Sequence, residues 1–266
     1  MNKIKYPQKE NWPELLKRPE NDITELFDTA RTVLDDIRKS GDRAVKRFTK
    51  MFDGIEVGEL QVSDPEISEA VELVPAELKE AIEVARKNIE SFHAIQKEGV
   101  RTLETVPGVR CWQKSVPIEK IGLYIPGGSA PLFSTVLMLA VPARIAGCKE
   151  IILCTPPGHD GKIDPAILYT ASLVGVTKIF KAGGIQAIGA MAYGTESIPK
   201  VFKIFGPGNQ FVTAAKQLVS LKDVAIDMPA GPSEVLVMAD ESANPVFVRP
   251  ISFHRQSTAP TARFCS

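Results

Sequence analysis

The feature that most constrains the fold is an alternation of short β-rich runs with helical segments from about residue 118 to residue 240. The β-rich runs read KIGLYIP, EIILCTP, KIFKAG, KVFKIFGPG, VAIDMPAG and SEVLVMAD. The helical segments between them read PLFSTVLMLAVPARIAG, DPAILYTASLVG, IQAIGAMAYGTES and NQFVTAAKQLVSLK. Strands that alternate with helices of this length predict βαβ units and a parallel sheet, so we expect an α/β fold.

The chain before this region reads as mainly helical. ENDITELFDTARTVLDDIRKSGDRAVKRFTKMFDG has apolar residues at helical spacing, and Gly41 predicts a helix end. PEISEAVELVPAELKEAIEVARKNIESFHAIQKE predicts further helix, with a new N-terminus at Pro75. A β-hairpin is expected around the turn Pro107-Gly108, because residues that favour β-strands flank this turn on both sides.

Composition excludes several functional classes. Thirty-two Lys and Arg residues balance 32 Asp and Glu residues, so no global field favours nucleic acid or an anionic membrane. The first residues lack the apolar core of a signal peptide, and no apolar run reaches transmembrane length. The four cysteines have neither a disulfide framework nor C-x-x-C spacing. We therefore expect a cytoplasmic protein without nucleic-acid or membrane partners.

Three glycine-containing turns follow strands of the predicted sheet. They are Tyr124-Ile-Pro-Gly-Gly-Ser, Ala182-Gly-Gly-Ile-Gln and Gly206-Pro-Gly-Asn. In an open parallel sheet, ligands bind outside the carboxyl ends of the strands, and glycine turns let backbone N–H groups approach an anion. None is a G-x-G-x-x-G fingerprint, so each also fits an ordinary βα turn or helix cap. Three of them at one edge favour a nucleotide site.

Three side chains accompany these turns. Tyr124 ends its strand, where the ring either stacks on a base or ribose or packs at the sheet edge. Gln186 and Asn209 can donate and accept hydrogen bonds at once, and each also fits a turn or cap residue. Their shared edge of the sheet makes them candidate ligand contacts.

The sequence offers little support for thiol or metal chemistry. Cys154 ends the strand EIILC, but no motif ties any of the three histidines to it as a base. A buried, inert thiol is therefore the favoured interpretation of Cys154 and of Cys148. No H-E-x-x-H motif, paired cysteines or close histidine pair predicts a metal site.

Three long segments resemble one enzyme family. They are GLYIPGGSAPLFSTVLMLAVPARIAGCKEIILCTPP, AGGIQAIGAMAYGTESIPKVFKIFGPGNQFVTAAK and IDMPAGPSEVLVMAD, within a resemblance that runs from about Asp22 to Val248. Through them the chain resembles histidinol dehydrogenase. The resemblance implies an NAD-dependent, zinc-containing, cytoplasmic homodimer. Its reaction is the oxidation of L-histidinol through the aldehyde to L-histidine with two NAD⁺, the last two steps of histidine biosynthesis.

The resemblance also implies site residues. Tyr124, Gln186 and Asn209 match the NAD contacts of the family, and Ser233 in AGPSEV matches a substrate contact. The implied mechanism places zinc on the imidazole and amino groups of the substrate. A histidine takes the hydroxyl proton as hydride leaves, and a glutamate activates water on the aldehyde. The thiol that corresponds to Cys154 is not essential.

Together, the pattern and the resemblance predict how the chain is divided. An N-terminal arm over 1–21 precedes a helical region over 22–117, which belongs to an incomplete α/β domain. A Rossmann-like, parallel-sheet NAD-binding domain follows over 118–240, and 241–248 return to the incomplete domain. Residues 249–266 form a basic, Ser- and Thr-rich tail without periodicity.

This tail departs from the family. There the family continues with a helix resembling A-A-D-L-L-S-Q-A-E-H-G-P-D-S-Q-V-L-L, whose Gln and His are two zinc ligands, whereas Arg255 and Thr258 stand at those positions here. One choice of codons for 255–263, read one nucleotide earlier, encodes Q-A-E-H-G-P-D-S-Q. The same shift turns 251–254 into D-L-L-S. We therefore hypothesise that 249–266 are the family's DNA read in the wrong frame.

This hypothesis has consequences for activity. The catalytic Glu–His pair and the other zinc ligands belong to family segments without a counterpart in these residues, so the resemblance implies no catalytic and no metal-ligating residue here. We expect no turnover, poor zinc binding and exposed apolar surface that promotes aggregation. Two alternatives stay open. One is a non-catalytic dinucleotide-binding or dimerising fragment, and the other is a thiol-dependent aldehyde oxidoreductase that uses Cys154.

Overall fold

The secondary structure of the computed structural model changes in character near residue 100. The structure describes residues 4, 7–15, 17, 24–127, 130–229, 235, 236, 240–244, 246, 264 and 265. The first part contains short 3₁₀ turns and four helices: Lys9–Asn11, α1 (Trp12–Leu15), Thr24–Leu26, α2 (Phe27–Asp53), α3 (Asp64–Leu73) and α4 (Ala76–Ala94).

An antiparallel hairpin separates these helices from an alternating region. The hairpin consists of β1 (Thr102–Val106) and β2 (Val109–Trp112). The elements that follow are β3 (Lys120–Tyr124), α5 (Phe133–Ala146), β4 (Glu150–Thr155), α6 (Pro165–Leu173), β5 (Lys178–Lys181), α7 (Gly184–Tyr193), β6 (Lys203–Phe205), α8 (Gln210–Ser220) and β7 (Ala225–Ile226).

The strands of the alternating region form one parallel sheet. Its order is β5-β4-β3-β6-β7, and each neighbouring pair is parallel. The chain therefore runs outward from the central strand β3 to β5, returns, and continues on the other side through β6 and β7. This is the strand order of a doubly wound fold, which confirms the predicted α/β class with a parallel sheet. Because the order reverses between β3 and β6, their carboxyl ends form its topological switch point.

Helices cover both faces of the sheet. Alternate residues of a strand point to opposite faces, so Ile152 and Cys154 of β4 join one buried apolar cluster and Leu153 joins the other. The first cluster is covered by α2, α7 and α8, and the second by α3, α4, α5 and α6. The sheet is thus the middle of three layers, and only its strand ends stay available for a ligand.

A glycine interrupts the long helix α2. The spacing predicts a helix end at Gly41, and the structure has a break there, with φ 52° and ψ −134°, after which the chain resumes as helix to Asp53. A Cβ on Gly41 would stand 2.1 Å from a carboxylate oxygen of Glu196, which itself accepts a hydrogen bond from the Asp42 N–H at 2.7 Å. The break thus lets a carboxylate cap the second half of the helix.

The outer edge of β5 is covered by the segment 60–62. The Val62 N–H donates to the Ile179 carbonyl at 2.8 Å, and the Lys181 N–H donates to the Leu60 carbonyl at 2.7 Å. Lys181 Nζ also lies 2.5 Å from Glu66 Oε1 in α3. An edge covered in this way cannot pair with another chain.

Two compact units are present. Residues 23–229 form one, and 1–22 together with 230–266 form the other. In the second unit β8 (Val235–Leu236) pairs in parallel with β9 (Phe264–Cys265). The predicted division of the chain at 21, 117 and 240 stays a prediction. Apart from β9, the tail over 249–266 lies outside the described residues.

Several large apolar side chains are exposed. Leu103 and Trp112 of the hairpin and Phe92 of α4 each expose more than half of their surface. Single exposed apolar residues are ordinary, whereas contiguous ones mark interaction surfaces or promote aggregation. None of the described helices has the length and apolar character needed to cross a membrane.

Replacing Ile37 by Ala is expected to lower the free energy of unfolding by about 2–5 kcal/mol, because it leaves a cavity in the core. Ile37 is 1% exposed, and its Cδ1 lies 2.9 Å from the place of a Cβ on Gly189, so α2 and α7 are in close contact. Urea denaturation measures the loss. Met51→Ala, at an exposed position of α2, should change the value by less than about 0.5 kcal/mol. Equal losses would contradict a core position for Ile37.

Candidate functional site

The carboxyl ends of β3 and β6 approach each other closely at the switch point. Gly206 directly follows β6 and has φ 131°. A Cβ at this position would stand 2.1 Å from the Tyr124 carbonyl oxygen, so any side chain would collide with the backbone of β3. Because glycine has no side chain, the turn that ends in Asn209 packs directly against the end of β3.

The other two glycine turns meet at Pro156, which follows β4. A Cβ on Gly127 would stand 2.6 Å from Pro156 Cγ, and a Cβ on Gly183 would stand 2.7 Å from Pro156 Cβ. These glycines are therefore required by packing, as the βα-turn interpretation expects. The contacts also bring the turns after β3, β4 and β5 together at one edge of the sheet.

Tyr124 is packed at this edge. It is 3% exposed, and its phenol oxygen accepts a hydrogen bond from the Gly184 N–H at 3.1 Å. Burial raises the pKa of Tyr124 to about 12, so the phenol is neutral and holds the start of α7 against β3. Of the two sequence interpretations, the packed aromatic ring agrees with this position. A contact with a cofactor stays a prediction.

Gln186 is a fully buried amide in the first turn of α7. Its Nε2 donates to Asp53 Oδ2 at 3.3 Å, whereas its Oε1 has no hydrogen-bond partner among the described residues. Asp53 lies at the end of α2, and burial raises the pKa of its carboxyl. A buried acceptor without a partner costs roughly 1–3 kcal/mol. Packing alone therefore does not account for the amide.

Asn209 caps α8. Its Oδ1 accepts a hydrogen bond from the Val212 N–H at 3.0 Å, and the residue is exposed. Asn209 is therefore a helix cap, as one of its two interpretations expects, and its contact with NAD stays a prediction. The positive end of the α8 dipole lies at this N-terminus, as that of α7 does near Gly184, and both favour an anion.

An ion pair between a buried lysine and a half-buried aspartate fixes the turn before Asn209, and sequence reasoning missed it. Lys216 of α8 is 6% exposed; its Nζ donates to the Gly206 carbonyl at 2.8 Å and pairs with Asp227 Oδ1. Asp227 Oδ2 accepts from the Gly206 N–H at 2.8 Å. The available signal was a lysine four residues after the buried Val212, on the apolar face of α8.

The cysteines and histidines form no catalytic constellation in the part of the chain that the structure describes. Cys154 is fully buried, and burial raises the pKa of its thiol, so the inert interpretation agrees with its position. Burial also raises the pKa of Cys148. His93 lies in α4 and His159 in an exposed loop. No group of three or more His, Cys, Asp and Glu side chains that could hold a metal occurs in the described ranges.

Four other residues singled out by the sequence lie outside the described residues. They are Ser233, the predicted substrate contact; His254, the third histidine of the chain; and Arg255 and Thr258, which the resemblance predicts at two zinc-ligand positions of the family. Their predicted roles stay predictions.

The fold and the site define a class of protein, a doubly wound α/β protein with a ligand site at the switch point of its sheet. Three glycine turns, two helix N-termini and a buried polar cluster meet there. The family model described as Histidinol dehydrogenase matches residues 16–250. The chain therefore belongs to the histidinol dehydrogenase family, as the resemblance predicts.

Individual relatives agree with this assignment. Histidinol dehydrogenase of Bacteroides fragilis (strain ATCC 25285) is 65% identical over 248 residues, which are 93% of this chain and 58% of the relative. That of Escherichia coli O6:H1 is 56% identical over 238 residues, 88% of this chain and 54% of the relative. The crystal structure of the enzyme from Elizabethkingia anophelis superposes with a TM-score of 0.92 at 54% identity, covering 97% of this chain and 60% of that one.

Replacing Lys216 by Ala is expected to lower the free energy of unfolding by about 1–3 kcal/mol, because it removes the hydrogen bond to the Gly206 carbonyl and leaves the half-buried Asp227 without its partner. Urea denaturation measures the loss. Lys222→Ala removes the same charge at an exposed position nearby and should cost less than about 0.5 kcal/mol. Similar stabilities of the two variants would show that the ion pair does not hold the turn.

Stability is expected to fall at high pH because of Tyr124. The pKa of this phenol is about 12 in the folded protein, against an ordinary value of 10.0, so ionisation favours unfolding as pH rises between the two values. A shift of this size corresponds to about 3 kcal/mol. Tyr124→Phe should therefore lose less stability than the wild type over this interval, as followed by urea denaturation at several pH values. Parallel declines would contradict the assignment.

Proposed function

We propose that the function this chain derives from is the reaction of its family, the NAD-dependent, four-electron oxidation of L-histidinol through L-histidinaldehyde to L-histidine in histidine biosynthesis. These 266 residues alone supply a dinucleotide site for it without turnover. The proposal is supported by one observation above all. The residues that match the family's NAD contacts, Tyr124, Gln186 and Asn209, belong to turns that meet at the switch point of the sheet. The sequence predicts the shared edge, because the carboxyl ends of parallel strands lie together, but it does not predict the direct contacts of Tyr124 with Gly184 and Gly206.

The described residues suit a dinucleotide. The N-termini of α7 and α8 favour its anionic pyrophosphate. The buried Oε1 of Gln186 lacks a donor that a ribose hydroxyl group provides. We propose that Gln186 and Asn209 contact NAD directly and that Tyr124 holds the Gly184 turn beneath it. When bound, NAD accepts hydride from the alcohol and then from the hydrated aldehyde.

Zinc does not fit the residues that the structure describes, since they place no group of three or more His, Cys, Asp and Glu side chains around a common point. No step that involves zinc follows from them. The other implied properties are proposals on the same footing. They are zinc dependence of the whole protein, L-histidinol as the small-molecule partner with Ser233 as its contact, a homodimer, and a cytoplasmic location.

For a polypeptide of these 266 residues alone, we propose dinucleotide binding without turnover. The relatives above are longer, and the chain spans 58% of the Bacteroides fragilis protein. The Glu–His pair that the resemblance implies has no match among these residues. This corresponds to one of the alternatives predicted from the sequence, a non-catalytic dinucleotide-binding fragment. The thiol alternative is disfavoured, because Cys154 is fully buried and burial raises the pKa of its thiol.

Calorimetric titration with NAD⁺ tests the proposal. The wild-type chain is expected to bind, and Gln186→Ala should weaken binding about tenfold, since it removes a buried acceptor. Gln113→Ala, which truncates the same side chain at an exposed position, serves as the control and should leave the affinity unchanged. A wild-type chain that does not bind NAD⁺ would contradict dinucleotide binding.

Turnover is tested separately by NADH absorbance with L-histidinol and Zn²⁺. No NADH is expected from the 266-residue chain, whereas the full-length Bacteroides fragilis relative provides the positive control. Measurable turnover by the purified chain would refute the proposal of binding without catalysis.

A further inference from the structure

Asp53 determines which way the buried Gln186 amide faces. It is the last residue of α2, which ends at Gly54 with φ 71°. Its Oδ2 accepts the hydrogen bond from Gln186 Nε2 at 3.3 Å. An ionised carboxylate accepts hydrogen bonds but cannot donate one. The amide nitrogen must therefore face Asp53, and Oε1 must face away from it.

The amide oxygen is directed towards the glycine turn at the start of α7. A Cβ on Gly184 would stand 2.9 Å from Gln186 Oε1 and 3.6 Å from Nε2, so the oxygen is the nearer of the two atoms. The Gly184 N–H does not satisfy it, because that group donates to the phenol oxygen of Tyr124 at 3.1 Å. Oε1 therefore remains a buried acceptor beside the turn, without a partner among the described residues.

We propose that Asp53 is a positioning residue for the dinucleotide: by holding Nε2, it presents the Oε1 of Gln186 as an acceptor for a ribose hydroxyl group. The inference rests on the proposed function, which is NAD binding at the switch point. It adds a residue from α2, which lies outside the βα units that carry the other predicted contacts. Asp53 acts through Gln186 and does not touch the dinucleotide itself.

The energetics separate this role from a structural one. Burial raises the pKa of Asp53, so the fold disfavours the ionised form that the amide orientation requires. The pKa of this carboxyl is higher in the folded than in the unfolded protein, so its ionisation favours the unfolded state. At neutral pH the ionised carboxylate therefore destabilises the folded state. A residue that served packing alone would stabilise the fold. Asp53→Asn distinguishes the roles, since it keeps the shape and removes the charge.

The first experiment is calorimetric titration of the 266-residue chain and its variants with NAD⁺. Asp53→Ala should weaken binding about tenfold, as expected for a lost hydrogen bond to a charged group. Asp53→Asn should lie between Asp53→Ala and the wild type, because its amide accepts from Nε2 or donates to Oε1 with similar ease. Asp28→Ala removes an exposed carboxylate at the other end of α2 and should leave the affinity unchanged.

Two further measurements isolate the positioning role. In a Gln186→Ala background, Asp53→Ala should weaken binding by less than about twofold, because the two residues act as one unit. The midpoint of thermal unfolding of Asp53→Asn should equal or exceed that of the wild type. A purely structural role would instead lower this midpoint together with the affinity.

The outcomes are distinct. Unchanged affinity in Asp53→Ala overturns the inference and leaves NAD binding intact. If the affinity losses of Asp53→Ala and Gln186→Ala add fully in the double variant, the inference is also overturned, because Asp53 then contacts the dinucleotide independently of Gln186. A lower unfolding midpoint of Asp53→Asn overturns it in favour of a structural role. A wild-type chain that fails to bind NAD⁺ overturns the proposed function, and the inference with it.

Discussion

The contact between the backbones of Gly206 and Tyr124 is the constraint on which the rest of the site depends. It brings the turn after β6 against the end of β3, and it is possible only because Gly206 has no side chain. Lys216 and Asp227 bind the carbonyl and the N–H of Gly206. Burying the Lys216 charge is costly, and its attraction to the half-buried Asp227 together with these hydrogen bonds offsets the cost. The start of α8 is thereby fixed beside the end of β3.

A second group of polar residues is buried at the same edge with less compensation. Tyr124 has a partner for its oxygen, but Gln186 Oε1 has none among the described residues, and Asp53 is a half-buried carboxylate whose pKa is raised. Local rules of polar satisfaction are broken mainly where a protein binds or reacts with something. The apolar clusters on the two faces of the sheet stabilise the fold and offset the cost of burying these polar groups.

The alternation of apolar runs and glycine turns was sufficient to predict the five strands of the sheet, because the central runs are buried on both faces and the turns follow strands. The sixth predicted run, SEVLVMAD, contains β8, which pairs with β9 outside this sheet. The same pattern placed Tyr124, Gln186 and Asn209 at one edge. It did not reveal that two of the three turns require glycine for packing against Pro156. Such contacts join separate βα units, and no local spacing encodes them. The Lys216–Asp227 pair was missed although both residues lie close together along the chain, because a charge on an apolar helix face indicates burial but not the partner.

By itself, the sequence determined the α/β class, the extents of most elements and the family, since these depend on hydrophobic periodicity, turn residues and long matching segments. Only the tertiary structure decided which groups meet. Asp53 reaches Gln186 across 133 positions because α2 packs beside α7 on the same face of the sheet. The direction of the Gln186 amide follows from that contact, since a carboxylate accepts but cannot donate. Hydrogen-bond partners so far apart depend on how the layers pack, and no stretch of local sequence carries that information.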